Sequence, residues 1–225
     1  MSALRFIFAG CALLSSTACL MPGDCRAVAI DPKTYPDSFV VSLETSRGRV
    51  DIKAHKDWAP NGAGQLYTLV KENHFDDARF FRVVKGFVAQ FGLSGNPERD
   101  KPWEEKCILD DPVKHPNTRG TLTFAARRDS NTRSTQLFIN LVDNPVLDTY
   151  NGGYPPVGEI VAGLDVVDSL YSGYGDAAPK SGPQYGKEGP SQDSIVKAGN
   201  AYLARGWPKL DYIKTARVTQ EWPGR

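Results

Sequence analysis

The chain has 225 residues, a formal net charge of +1, 40% apolar residues and 24% charged residues. This is enough for one domain with a buried core, and the near-neutral balance without a basic stripe excludes nucleic acid as an expected partner. Its four cysteines and three histidines include no Cys-x-x-Cys run and no helical metal-ligand spacing, so no metal site and no cofactor is expected.

In chain order, Arg5 precedes the apolar run Phe6 to Leu14, and Ser15-Ser16-Thr17-Ala18 follows. A charged start, a short apolar run and small residues read as a secretory signal, and the run is too short to span a bilayer. Cleavage after Ala18 and cleavage after Ala29 both fit, so residues 1–29 are set apart as signal peptide and leader, and 30–225 as the working domain. The expected location is outside the cytoplasm, in the periplasm or anchored at the envelope. Cys19 follows Ser16-Thr17-Ala18, which resembles a bacterial lipoprotein cleavage box lacking its usual Leu, and offers a lipid anchor. In an oxidising compartment Cys25 and Cys107 are available to pair, although sequence does not give their separation.

Asp31 to Asp37 is polar and Pro-containing, a linker. Val41 and Leu43, then Val50 and Ile52, alternate with polar residues around Ser46-Arg47-Gly48, which predicts a β-hairpin with one buried face. Pro60 suits a first helical turn, and Ala63, Leu66, Tyr67 and Val70 follow helical spacing up to Glu72. Strands are expected within Phe80–Gln90 and over Thr121–Ala126, Gln136–Leu141 and Val157–Val161, with a long loop from Leu93 to Pro116. A second helix runs from Leu164 to Tyr171, and Gly173–Gln192 is a Gly-, Pro- and Ser-rich excursion. Ser194–Leu203 reads as helix and Leu210–Val218 as the last strand. Many short strands with few helices predict a barrel or sandwich. No exposed apolar stripe is evident, so a monomer is the default.

The segment Phe80 to Gln90 holds the most information. Arg82 and Gln90 are set among aromatic and aliphatic residues, the pattern of polar fixing groups in an apolar site. Side chains alternate along a strand, so the two share a face only if the chain stays extended, and Gly86 predicts a bend between them.

Three blocks carry a family resemblance. FDDARFFRVVKGFVAQFG, from Phe75 to Gly92, resembles the signature of cyclophilins, the peptidyl-prolyl cis-trans isomerases. Arg119 to Asp148 is similar to the family's R-G-T-L-x-x-A, Q-F-F-I and L-D elements, with Leu137 for the first Phe. Val157 to Val167 is similar to its F-G-x-V-x-x-G-x-x-V-V. The blocks stand in family order and the resemblance spans roughly Val40 to Tyr171. It implies a mainly β fold: a closed eight-stranded antiparallel barrel capped by two helices, here with residues 173–204 as a helical insertion before the last strand.

The resemblance also implies a chemistry. Rotation about an X-Pro bond crosses a barrier of roughly 18–20 kcal/mol, while the isomers differ by only about 0.5–1 kcal/mol. A catalyst needs only to favour the twisted amide, whose nitrogen is pyramidal and basic, and an Arg donating to that nitrogen binds the transition state better than the ground state. Arg82 falls on the family's catalytic Arg, and Gln90 on a Gln that holds substrate backbone. Phe87, Val88, Phe138 and Leu147 fall on the proline pocket, Tyr154 where His or Tyr is common, and Gln136 on a bracing Gln. Ala125 and Ala126 match the strand edge that pairs with an extended peptide. Expected partners are therefore proline-containing polypeptides, folding after export. Departures are Phe81 for a His before the Arg, Val88 for Met, and Ala126-Arg127 for Asn-Ala, which places a charge beside the pocket for residues preceding the proline. Val146 stands where many eukaryotic members carry a Trp that hydrogen-bonds cyclosporin, which implies weak binding of that drug. The plain structural alternative for Arg82 is a surface ion pair with Asp76 or Asp77, and for the apolar set ordinary core packing. The alternative function is a non-catalytic module that clasps Pro-containing chains; retention of Arg82 and Gln90 argues against it.

Overall fold

Alternation of apolar residues around a glycine turn produces the hairpin that founds the sheet. In the computed structural model, which describes residues 25–127, 129–176 and 189–223, β2 (Ser38–Thr45) and β3 (Arg49–His55) pair antiparallel with Val41 opposite Ile52 and Leu43 opposite Val50. All four side chains are buried. The signal segment, Cys11, Cys19 and the middle of the 173–204 insertion lie outside the described residues.

The sheet continues through β4 (Arg82–Val84), β5 (Val88–Phe91), β7 (Thr121–Phe124), β8 (Leu137–Asn140), β9 (Pro156–Ala162) and β10 (Ile213–Trp222). Its order is β10-β2-β3-β9-β7-β8-β5-β4, every neighbour antiparallel. The sheet curls so that its two ends approach: Arg79 bridges to Tyr212, the Phe80 N–H donates to the Asp211 carbonyl (2.9 Å), and Asp77 and Ala78 exchange bonds with Ile213. Inside the curl, Phe39, Phe75, Phe80, Phe91 and Phe124 are buried with aliphatic residues of β2, β3, β8 and α1 (Pro60–Lys71) in one core.

Helix α1 begins and ends where the sequence placed it, within one residue. Pro60 opens it and Ala59 supplies no side-chain cap. Its first N–H groups, unsatisfied within any helix, are taken by Asp111: Oδ1 accepts from the Asn61 N–H (3.1 Å) and Oδ2 from the Gly62 N–H (2.8 Å).

Several expectations are corrected. The helix after Gly163, α3, spans only Leu164–Asp168, because Ser169 onward turns away to seat Leu170 in the core. The stretch Leu93–Pro116 is not all loop: it holds the single-turn α2 (Pro97–Asp100), with the Asn96 side chain accepting from the Glu98 N–H, a 3-10 turn and β6 (Lys106–Ile108). β6 pairs parallel with β1 (Arg26–Val28), two three-residue strands too short for any periodicity to show. Beside them Cys25 and Cys107 form a disulfide, with Cα atoms 5.6 Å apart. The last strand starts at Ile213, not Leu210, and runs on to Trp222. The insertion's helix, α4 (Gln192–Gly206), is longer than expected and kinks at Gly199 (φ 54°), where a Cβ would lie 2.2 Å from the Gly95 carbonyl. Ile195 and Leu203 of α4 pack with Phe81, Leu93 and Leu210 in a second apolar cluster.

His74 sits at the base of this arrangement, fully buried, with Nε2 donating to the Gly92 carbonyl (3.0 Å) and its ring edge-on to Trp103. Burial pushes its pKa down to about 4, against the Gly92 bond that favours the proton. The folded protein therefore holds it neutral while the unfolded chain protonates near 6.5. Its stabilising contribution is complete above about pH 6.5 and is lost as pH falls toward about 4, a swing of about 3 kcal/mol. His55, lowered first by burial and then by Lys53, acts in the same direction. The urea midpoint should thus fall between pH 7 and pH 4.5, and His74→Phe should flatten that decline; an unchanged slope in the variant would contradict the assignment.

Candidate active site

The bend at Gly86 (φ +76°) turns the Phe80–Gln90 segment into a hairpin, so Arg82 and Gln90 meet as directly opposed cross-strand partners, not as neighbours along one strand. Arg82 Nη1 donates to Gln90 Oε1 (3.0 Å), and Gln90 Nε2 donates onward to Gln136 Oε1 (2.8 Å). This chain of side chains fixes the Gln90 amide: its oxygen faces the guanidinium and its nitrogen faces β8. The Arg82 guanidinium also lies over the Phe87 ring at 5.7 Å, within cation–π reach.

Arg82 does not pair with Asp76 or Asp77. Asp76 binds Arg217 and Asp77 lies beside Arg79. Its ion-pair partner is Asp176, with Nε on Oδ1 (2.9 Å) and Nη2 on Oδ2 (3.1 Å), a two-point contact that leaves the Asp176 side chain 6% exposed and that of Arg82 17% exposed.

These groups form one end of a cleft of about 530 Å³. Its apolar floor is a separate small cluster in which Val88, Phe138 and Leu147 are buried, with Phe87, Ala125 and Tyr154 packed against them. Tyr154 meets Phe138 at a tilt, ring centroids 5.9 Å apart, and lies parallel to Tyr150 on the rim. Ala125, Ala126, Arg127 and Gln136 complete the wall the sequence indicated. Eleven of the twelve residues singled out from the sequence thus line one cleft: Arg82, Phe87, Val88, Gln90, Ala125, Ala126, Arg127, Gln136, Phe138, Leu147 and Tyr154. Val146 stands outside this lining. It sits on the 3-10 turn Pro145–Asp148 with 61% of its surface exposed, while Leu147 turns inward.

The cleft extends beyond that set. Leu93, Trp103 and Glu104 also line it, joined by Thr132, Tyr150 and, from α4, Gln192, Asp193 and Val196. None carried a sequence signal, because the α4 residues reach the cleft only through the docking of the insertion on Phe81.

A buried amide network sets the pocket's shape. Asn140 at the end of β8 is fully buried; its Nδ2 donates to Asn117 Oδ1 (3.1 Å) and Thr121 Oγ1 (2.8 Å), and its Oδ1 accepts from Asn144 Nδ2 (2.7 Å). Asn144 also holds the Phe87 carbonyl (3.1 Å), and Asn117 Nδ2 donates to Asp148 Oδ1 and the Tyr154 carbonyl, both at 2.8 Å. Phe87, Leu147 and Tyr154, from three separate segments, are therefore positioned by one set of hydrogen bonds.

The cyclophilin-type peptidyl-prolyl cis-trans isomerase family model matches residues 40–199. Escherichia coli peptidyl-prolyl cis-trans isomerase B is 30% identical over 171 residues, covering 71% of this chain and 97% of that protein. A Schizosaccharomyces pombe peptidyl-prolyl cis-trans isomerase is 34% identical over 129 residues, 56% of this chain and 81% of that protein. Among solved structures, a Cryptosporidium parvum cyclophilin-type isomerase superposes with a TM-score of 0.56 at 18% identity, over 82% of this chain and 99% of that one. The antiparallel curled sheet thus carries an Arg–Gln pair in the lining of a partly apolar cleft. The chain belongs to the cyclophilin-type peptidyl-prolyl cis-trans isomerases.

Because the Asn140 amide has three buried partners, Asn140→Ala leaves donors and acceptors unpaired in the interior. It should lower unfolding free energy by about 1–3 kcal/mol, read from denaturant midpoints, and weaken peptide binding through Phe87 and Leu147; a neutral effect would show that the network does not set the pocket.

Proposed function

We propose that Arg82 drives the isomerisation by donating to the prolyl nitrogen of a twisted X-Pro amide, and that the substrates are proline-containing segments of exported polypeptides still folding. The observation that carries this reading is the donor arrangement on Arg82. Of the five guanidinium N–H groups, two go to Asp176 and one to Gln90, which leaves two. Arg82 lines the cleft beside the apolar pocket, so the remaining donors are within reach of a bound amide. The planar amide nitrogen is a poor acceptor and the twisted one a good acceptor, so the bond forms mainly in the transition state.

Phe87, Val88, Phe138 and Leu147 suit a proline ring: they are apolar, mutually packed and shielded. Gln90 and Gln136 supply amide groups for the substrate backbone, and the small side chains of Ala125 and Ala126 leave room for an extended chain against the end of β7. Arg127, also on the wall, biases the pocket for residues preceding the proline. A barrel closed at the Arg79–Tyr212 seam gives these groups a rigid frame.

Location outside the cytoplasm is supported by the Cys25–Cys107 disulfide, a bond that persists in oxidising compartments. The pairing of Arg26–Val28 with β6 favours processing after Ala18, since cleavage after Ala29 would remove both strand and disulfide. Processing there leaves Cys19 at the new terminus, the position an anchored form would lipidate. Intact-mass measurement of the protein from cell fractions tests this: a terminus at residue 30 contradicts it.

The direct test of the activity compares cis-to-trans exchange of an Ala-Pro peptide by the wild type and by Arg82→Ala. The variant should fold and bind the peptide while losing about 100-fold or more in rate, the scale seen when one transition-state donor is removed. Equal rates would overturn the role of Arg82; binding without acceleration by either protein would make the chain a proline-clasping module.

A further inference from the structure

Residues 173–176 of the insertion reach β4, the strand that carries Arg82. Val83 of β4 forms an antiparallel bridge with Gly175, so the backbone on either side of Arg82 and Asp176 is held in register. The Asp176 carbonyl accepts from the Gly189 N–H (2.8 Å), which ties the near and far ends of the excursion together. Phe81, on the other side of Arg82, is buried against Ile195, Leu203 and Leu210. The insertion therefore grips three consecutive residues at the start of β4: Phe81, just before the strand, by packing, Arg82 by an ion pair, and Val83 through its backbone.

The Asp176 carboxylate occupies the Nε/Nη2 edge of the guanidinium and is itself absent from the cleft lining. It thus holds Arg82 from outside the cleft lining. An Arg side chain carries about 2 kcal/mol of rotamer entropy, and Gln90 alone, at one bond, fixes neither the plane nor the depth of the guanidinium. A two-point carboxylate contact fixes both and leaves the opposite edge for the amide. Displacing a catalytic group by about 1 Å can cost about 100-fold in rate, so the group that sets this plane controls turnover without touching substrate.

We propose that Asp176 is the positioning residue for Arg82, and that residues 173–176 and 189–204 thereby support the catalytic unit. This rests on the role given to Arg82 above.

The test uses the full protein and the same Ala-Pro peptide, with exchange rates at saturating peptide and the dissociation constant measured separately. Asp176→Ala should slow saturated exchange about 10- to 100-fold, with affinity changed less than about threefold because the apolar pocket is untouched. Asp176→Asn, which keeps shape and one acceptor, should lose less, and Asp176→Glu should recover part of the rate. In the Arg82→Ala background, Asp176→Ala should add nothing, since the two act through one group. The inference is overturned if Asp176→Ala matches or exceeds the wild-type rate, or if rate, affinity and melting temperature fall together. It is also overturned if the losses multiply in the double variant. If Asp176→Ala does not fold, Asp176→Asn is judged by the same arms. If Arg82→Ala itself keeps the wild-type rate, the role of Arg82 fails and this inference falls with it; loss in Arg82→Ala without loss in Asp176→Ala sinks the inference alone.

Discussion

A guanidinium beside an apolar cleft is stable in one orientation only if its other donors are filled from within the protein. Left to itself, Arg82 would turn toward water, where a strongly solvated charge costs least. The hydrogen-bond chain Asp176–Arg82–Gln90–Gln136 removes that freedom, and each member fixes the next. The sheet order serves this chain. Arg82 and Gln90 oppose each other across the β4–β5 hairpin, Gln90 opposes Phe138 across β5–β8, and Gln136 lies at the foot of β8. Arg82, Gln90, Val88 and Phe138 are therefore carried by the same three strands, β4, β5 and β8, which keeps the guanidinium and these cleft side chains at a constant separation.

The pocket floor is held by different means. Phe87, Leu147 and Tyr154 lie on a turn, a 3-10 segment and a loop, none of which is rigid on its own. Buried amides do for them what the ladder does for β4 and β5. Asn117 uses both its donors and its acceptor, so the network leaves it no alternative arrangement. The same economy appears at α1, whose N-terminus lacks a local cap and takes Asp111 from the loop after β6.

Most of the cleft lining was legible from the chain through the family resemblance, whose motifs fall in contiguous stretches. Hairpin alternation located β2 and β3, the glycine at 86 located a turn, and the run from Arg82 to Gln90 carried its own chemistry. What could not be read depends on contacts between distant segments. Asp176 stands in a Gly-rich excursion 94 residues from Arg82, and nothing local marks an aspartate there as anything but a turn residue. β1 and β6 are three residues each, shorter than one repeat of any strand pattern worth counting. The expected helix Ser194–Leu203 is extended at both ends in α4, Gln192–Gly206, and its kink at Gly199 faces Gly95, whose carbonyl accepts from the Asn200 N–H (2.7 Å). Phe81 signalled a departure from the family but not its meaning, which emerges only when the insertion is seen packed on it.

The position of β10 has a consequence for how the molecule is assembled. It pairs with β2 along its whole length, Glu221 opposite Phe39 and Ile213 opposite Thr45, and its first residues also meet the segment Asp77–Phe80. Both ends of the curled sheet thus converge on β10, the last of its strands in chain order. Without residues 211–222, β2 presents its outer N–H and C=O groups unpaired, and Ala78 and Phe80 lack their partners across the seam. Without β10 the sheet stays open at both margins, a state that other strands can join, and a fold that depends on so distant a pairing forms slowly.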